Sequence, residues 1–173
     1  DAVNILQINA IGPLGPTALQ FGLPERDLQQ IGPLAAAAPG APSISAPDQQ
    51  VFEDGSVGVV VNAAPSAPGN TGLQITVSIS NIPATVTVDT TTSGGTYNAG
   101  TGTWTITLAP GQSFSGGPTF SQEADSDVDI TNLLATVTQT EIATSTTLTA
   151  TDTFDVIVDA VADAPNFNIL KAQ

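Results

Sequence analysis

The sequence predicts an all-β protein, an antiparallel sandwich of about seven short strands preceded by an extended N-terminal arm. Three observations carry this. From Asp48 onward, runs rich in Val, Ile and Thr are split by Gly, Pro and Asn, the punctuation of strands and turns. Within them "LQITVSIS" alternates strictly: Leu73, Ile75, Val77 and Ile79 share one face and Gln74, Thr76, Ser78 and Ser80 the other, as a strand with one core face and one wet face requires. Before Asp48 the composition changes to Gly, Pro and Ala, from which no core can be built.

In chain order, residues 1–46 read as an arm or linker, with "IGPLGP" at 11–16, "IGPL" at 31–34 and "AAAAPGAP" at 35–42. Its apolar start, Asp1 to Ile11, could make a strand on a partner's sheet edge, and Pro24 to Ile31 about two helical turns. The module proper spans 47–163, with strands expected at Val57 to Asn62, Leu73 to Ser80, Thr85 to Asp89, Thr103 to Leu108, Asp129 to Thr140 and Thr144 to Val158, the last broken in two. Its expected core is Val59, Val61, Ile75, Val77, Ile79, Val86, Trp104, Ile106, Leu108, Leu134, Val137, Phe154, Val156 and Val158. Residues 164–173 read as the start of a next module. "GAPSISA" from Gly40 and "DAPNFNI" from Asp163 share a pattern, and their prolines, Pro42 and Pro165, lie 123 positions apart.

Composition narrows the function. The chain of 173 residues has a formal net charge of −14, and no basic residue lies between Arg26 and Lys171. An acidic surface repels nucleic acid and anionic membranes, so neither is expected as a partner. No apolar run approaches the roughly 20 residues that span a bilayer, and no basic n-region opens the chain, which reads as soluble or as a mature fragment. Cys, His and Met are absent, which removes thiol and imidazole catalysis and Cys/His zinc sites. With no G-x-S-x-G and a single Trp and Tyr, a hydrolase or sugar-binding cleft is the least supported class, and Trp104 in "GTWTITL" reads as core. The expectation is no enzyme.

Two acidic clusters stand out. In "QEADSDVDI", from Gln122 to Ile130, Asp125, Asp127 and Asp129 would share one face of an extended strand, with neighbours about 7 Å apart. At an effective dielectric of about 20, each such like-charged pair costs roughly 2 kcal/mol, and nothing basic is near to offset it. In "VIVDAVADAP", from Val156 to Pro165, Asp159 and Asp163 end the last strand at one pole of the sandwich. Hard divalent cations take oxygens from carboxylates and carbonyls, which such runs supply densely, so calcium is the expected cofactor. An EF-hand loop is not the form: counted from Asp125, Ile130 stands where glycine is needed and Thr136 where a bidentate Glu belongs.

"FEDGSVGVVV", "GTWTITLAPGQSF", "EADSDVDITNLLATVTQTE" and "FDVIVDAVADAP" together resemble the tandem immunoglobulin-like or cadherin-like repeats of large, type I-secreted (RTX-type) bacterial adhesins, over about Pro42 to Pro165. The resemblance implies an extracellular spacer or adhesive module of a surface or biofilm protein, stiffened by calcium at its junctions. Carried over residue by residue, it implicates Glu53, Asp54, Glu123, Asp125, Asp127, Asp129, Asp159 and Asp163 as metal ligands. The preceding junction, "AAAAPGAP", departs from the pattern in having no carboxylate, and residues 1–40 match no such repeat. Expected partners are neighbouring repeats or identical subunits, and a surface or matrix ligand. The alternative function is a subunit of a self-assembling extracellular filament, in which the arm adds a strand to a neighbouring sandwich.

Overall fold

The computed structural model describes residues 38–162. The proposed strand at 1–11, the helical turns at 24–31, Asp163 and the next-module segment 164–173 lie outside them. The described residues are all-β, a sandwich of twelve strands with no helix. In order these are β1 Ser43–Ser45, β2 Gln49–Phe52, β3 Ser56–Gly58, β4 Val61–Ala64, β5 Leu73–Ser80, β6 Thr87–Asp89, β7 Thr96–Asn98, β8 Thr103–Thr107, β9 Phe114–Gly116, β10 Thr119–Ser121, β11 Ile130–Glu141 and β12 Thr146–Asp159.

One layer is a six-stranded sheet, β2-β12-β11-β5-β8-β7, and the other consists of two short sheets, β1-β4-β9 and β3-β10-β6. Between them lies one core that joins Val61 and Phe120 of the short sheets, and Val59 from the link between β3 and β4, to Ile75, Val77, Ile79, Trp104, Val137, Phe154 and Val156 of the large one. Trp104 is completely buried and its indole N–H donates to the Gly94 carbonyl at 3.1 Å, so it is core, as its place in "GTWTITL" implies. All ladders are antiparallel except β2 with β12, where Gln49 to Phe52 runs parallel to Val156 to Asp159. This pair arises because the incoming chain switches sheets at Ala46 to Asp48: β1 pairs with β4 in one layer and β2 continues in the other, beside the last strand.

The structure moves several expected boundaries. The run Val57 to Asn62 is two strands in different sheets, because at Val59 the ladder gives way to a bond from its N–H to the Pro118 carbonyl. A Cβ on Gly117 would sit 2.7 Å from the Val59 carbonyl oxygen, which is why a glycine stands at that crossing. The run Thr144 to Val158 is not broken: the hairpin turns at Ile142 to Ser145 and β12 then continues for 14 residues. Strand β1 falls in the span read as arm, its sequence too short to stand out from the prolines around it.

The core also needs one correction. Leu134 faces outward and Leu133 is fully buried. Strict alternation would put Ile130 and Val137, seven residues apart, on opposite faces. A β-bulge between Ile130 and Leu133, with Asn132 at φ 60°, adds one residue and turns both inward. Ile106 and Leu108 pack against the core but are only partly buried. Gln139 is the buried polar residue among the described ones, and both ends of its amide are used: Oε1 accepts the Ser66 N–H and Nε2 donates to the Gly40 carbonyl.

Candidate functional site

Seven of the eight implicated carboxylates are described, and they sit at one end of the sandwich, on three segments: the β2–β3 turn, the loop before β11, and the end of β12. The β2–β3 turn closes through a bond from Gly55 N–H to the Phe52 carbonyl, with Asp54 in the left-handed region at φ 61°. That conformation aims the Asp54 carboxylate across to the next loop, where Oδ1 accepts the Asp125 N–H at 2.9 Å. Glu53 ties the turn to the end of β12. Its N–H donates to the Asp159 carbonyl, and its Oε1 accepts the Val161 N–H.

The stretch from Gln122 to Asp129 is a loop and not the extended strand on which the alternation of Asp125, Asp127 and Asp129 depends. It turns at Ala124 and Asp125, the latter at φ 61°, with Ser126 N–H donating to the Glu123 carbonyl. Gln122 braces it from within, its side-chain amide donating to the Val128 carbonyl and accepting the Ser126 hydroxyl. Asp129 leaves the loop to accept the Val158 N–H at 2.8 Å. Its neighbours Glu123, Asp125 and Asp127 are exposed, so water and the turned backbone relieve the repulsion that an extended strand would have imposed.

The arrangement brings Asp54 to the 125 turn, Glu53 to Asp159 and its following residues, and Asp129 to β12. It does not gather three carboxylates: among the described residues no group of three or more acidic side chains is placed to hold a metal ion. For calcium these residues fit poorly as they stand, with Glu53, Asp54 and Asp129 each already giving one oxygen to a backbone N–H. A carboxylate has further lone pairs, and Glu123, Asp127 and Asp159 form no side-chain hydrogen bond among the described residues.

Three further acids, which the sequence reading did not single out, have clear structural work. Asp152 on β12 accepts the Ala46 N–H at 2.9 Å and the Thr153 N–H at 3.0 Å. Asp48 accepts the Asp155 N–H, and Asp155 in turn accepts the Asn132 N–H of the bulge at 2.7 Å. This chain of bonds clamps the β1–β2 sheet switch and the β11 bulge to β12. The available signal was the acid itself, since Asp is depleted from strand interiors and "TDTFDV" carries two. Elsewhere, at the end of β6, Asp89 is held below the usual carboxylate range by the Thr91 N–H and then by the Thr91 hydroxyl.

Ile142 in the β11–β12 turn and Val60 between β3 and β4 aside, the exposed large hydrophobics among the described residues lie at the acidic end: Phe52 is 67% exposed, Val128 65% and Val161 49%. Beneath it is a small cavity lined by Val51, Val57, Phe120, Ile130, Val156 and Val158, with Glu53 and Asp54 at its rim. Among the described residues, no helix is long and apolar enough to cross a membrane.

No family model matches the chain, and no curated protein does. Among solved structures, a type I cohesin in complex with a dockerin from Clostridium thermocellum is similar at TM-score 0.40 and 10% identity, over 70% of this chain and 100% of that one. The seventh ScaB type I cohesin from Pseudobacteroides cellulosolvens gives TM-score 0.42 and 10% identity over 74% of this chain and 98% of that one. A third cohesin, from Acetivibrio cellulolyticus and bound to a dockerin, gives 0.39 and 15% over 70% and 99%. These are cohesins and not adhesin repeats, and likeness this loose says nothing about what the present chain binds.

Proposed function

We propose that the protein is a non-catalytic, extracellular structural module that joins or spaces its neighbours in a bacterial surface or biofilm protein, with its acidic end as the junction. The observation that carries this reading is the placement of Phe52, Val128 and Val161 among seven carboxylates at the end where the last strand leaves the sandwich. Exposed apolar side chains rimmed by charge are what a docking neighbour covers. Adhesion is carried by the assembled protein, and no reaction is assigned to the module.

Calcium belongs to this proposal through the carboxylate excess and the resemblance to secreted adhesin repeats. Holding an ion requires the 53–54 turn and the 123–129 loop to draw together, or Asp163 to complete the set. A cation bound only to the folded state stabilises it by about 2.7 kcal/mol at a hundredfold excess over its dissociation constant. The melting temperature is therefore expected to rise in millimolar calcium beyond its value in sodium chloride of matched ionic strength. Asp127→Asn and Asp163→Asn are expected to reduce the rise, and Asp89→Asn to leave it. A calcium response equal to that of sodium sinks the metal assignment. Two copies joined in tandem test the junction itself: small-angle scattering is expected to give an extended particle in calcium and a shorter average length in chelator.

A second reading, the filament subunit, is favoured by a specific feature of β12. Among the described residues, its N-terminal half has an unpaired edge.

A further inference from the structure

Strand β12 is 14 residues long, but its two neighbours cover it unequally. On one side β11 pairs with it from Thr146 to Val156. On the other, β2 reaches only Val156 to Asp159. The direction of each backbone group follows from parity, since in a strand the N–H and C=O of one residue point to the same edge. Asp155 N–H and Thr153 N–H are met by Asp48 and Asp152 on the β2 side, so Thr147, Thr149 and Thr151 also present their N–H and C=O groups to that edge. Among the described residues none of these groups has a hydrogen-bond partner, and all three threonines are exposed.

Natural sheets protect such edges with lysine, proline, bulges or inward charges. This one has none of them between Thr146 and Thr151, where the sequence is "TTLTAT". The sheet's terminal strands, β2 and β7, are four and three residues long and offer far less. Charge makes the same stretch distinctive: Ile142 to Thr151 carries none, in a chain of net charge −14. Copies of so acidic a chain repel one another, and an uncharged edge is where they can approach.

We propose that the Thr147 to Thr151 edge of β12 is a strand-addition site and that its occupant is the segment Asp1 to Ile11 of a second copy. This rests on the filament reading and names the surface that reading requires. The segment "DAVNILQINAI" has one charge, at its first residue, and five of its residues are Val, Ile or Leu, so it has strand-forming side chains and no proline to interrupt a ladder. Residues 12–37 separate it from the described domain and include Pro13, Pro16, Pro24 and Pro33, a composition that spans distance. Fully extended they reach up to about 85 Å, well beyond the roughly 46 Å of β12 itself. Main-chain hydrogen bonds supply the affinity in this mode, which suits an edge with neither charge nor deep pockets.

The test uses the full chain, a variant lacking residues 1–11, and Thr149→Pro. Proline at 149 removes an edge N–H that points away from β11, so the fold should survive. Ala150→Pro, whose N–H serves the β11 ladder, should not fold and confirms the parity. Size-exclusion chromatography with mass detection is expected to show oligomers of the full chain and monomers of both variants. Mixed in equal amounts, the two variants are expected to form a one-to-one dimer, one supplying the arm and the other the edge. A synthetic peptide of residues 1–11 should bind the truncated variant and slow amide exchange at 147, 149 and 151, which tests the edge without Thr149→Pro. Oligomers that persist in folded Thr149→Pro overturn the edge while leaving the filament reading in place. A full chain that stays monomeric overturns both, and one that is monomeric with those amides protected has docked its own arm.

Discussion

Replacing Asp152 with alanine isolates the acid that joins the sheet switch to β12. Its Oδ2 accepts the N–H of Ala46, a residue only 4% exposed, while Oδ1 accepts the N–H of exposed Thr153. After Asp152→Ala, water can replace the bond at Thr153 but not the one at Ala46. A buried N–H left without a partner costs about 1–3 kcal/mol, so a loss near 2 kcal/mol is expected. Asp152→Asn keeps an oxygen for Ala46 but gives up the charge and the acceptor at exposed Thr153, where water takes over as it does in the alanine variant, and charge-assisted bonds are roughly twice as strong as neutral ones. Its loss should be about half as large. Urea titration measures both, and at roughly 4 °C per kcal/mol for a domain of this size the alanine variant should melt about 8 °C lower. Asp127→Ala is the control, an exposed acid with no bond, expected within about 0.5 kcal/mol of the parent. Hydrogen exchange at Ala46 should quicken in Asp152→Ala alone. If the alanine and asparagine variants are as stable as the parent, the carboxylate does not clamp the switch and the reasoning fails.

Other outcomes follow from single features. Leu133→Ala should cost about 2–5 kcal/mol and Leu134→Ala under about 1 kcal/mol, because the bulge buries the first and turns out the second; equal losses would remove the bulge from the account. Gly95→Ala should destabilise strongly in thermal melts, since a Cβ there would lie 2.6 Å from the Thr105 carbonyl oxygen and 3.0 Å from the Trp104 ring at φ 76°; an unchanged melting temperature would mean the turn relaxes freely. Asp89 should titrate below the ordinary aspartate range in an NMR pH series, and Thr91→Val should raise it partway, leaving the backbone donor. Because its folded value is the lower one, its stabilising effect is present above the unfolded pKa and fades as pH falls through the folded value.

Much of the sandwich was legible because period-2 alternation reports directly on a half-buried sheet. "LQITVSIS" became β5 at both expected ends, and its four apolar residues are all buried. What alternation cannot report is a change of sheet or of parity. Val57 to Asn62 reads as one apolar run because both halves face the same core, although they belong to different sheets of one layer. Leu134 was assigned inward because a bulge has no signature stronger than an asparagine in the polar pair Thr131–Asn132. At the acidic end the carboxylate runs themselves were legible in the sequence, and the structure brings "FEDG", "EADSDVD" and "VIVDA" to one end of the sandwich. The arrangement within that end was not legible, since the left-handed turns at Asp54 and Asp125 decide where the oxygens point, and aspartate's tolerance of that conformation is a weak signal.

The acids divide into two populations by what they touch, and this division bears on the junction. Asp48, Asp129, Asp152 and Asp155 meet backbone N–H groups at the places where ladders are interrupted: the sheet switch, the bulge and the end of β12. Between Arg26 and Lys171 no basic side chain competes for them, so each carboxylate remains free to act as a backbone acceptor. Glu123 and Asp127 hold nothing among the described residues and face water beside exposed Val128. Charge kept there works against any like-charged neighbour, and a cation bound between the two offsets that repulsion. The first population therefore makes the domain and the second conditions what docks on it, so substitutions in the two should separate cleanly. Those in the first should lower stability in any medium, while those in the second should change only how stability and association respond to added ions.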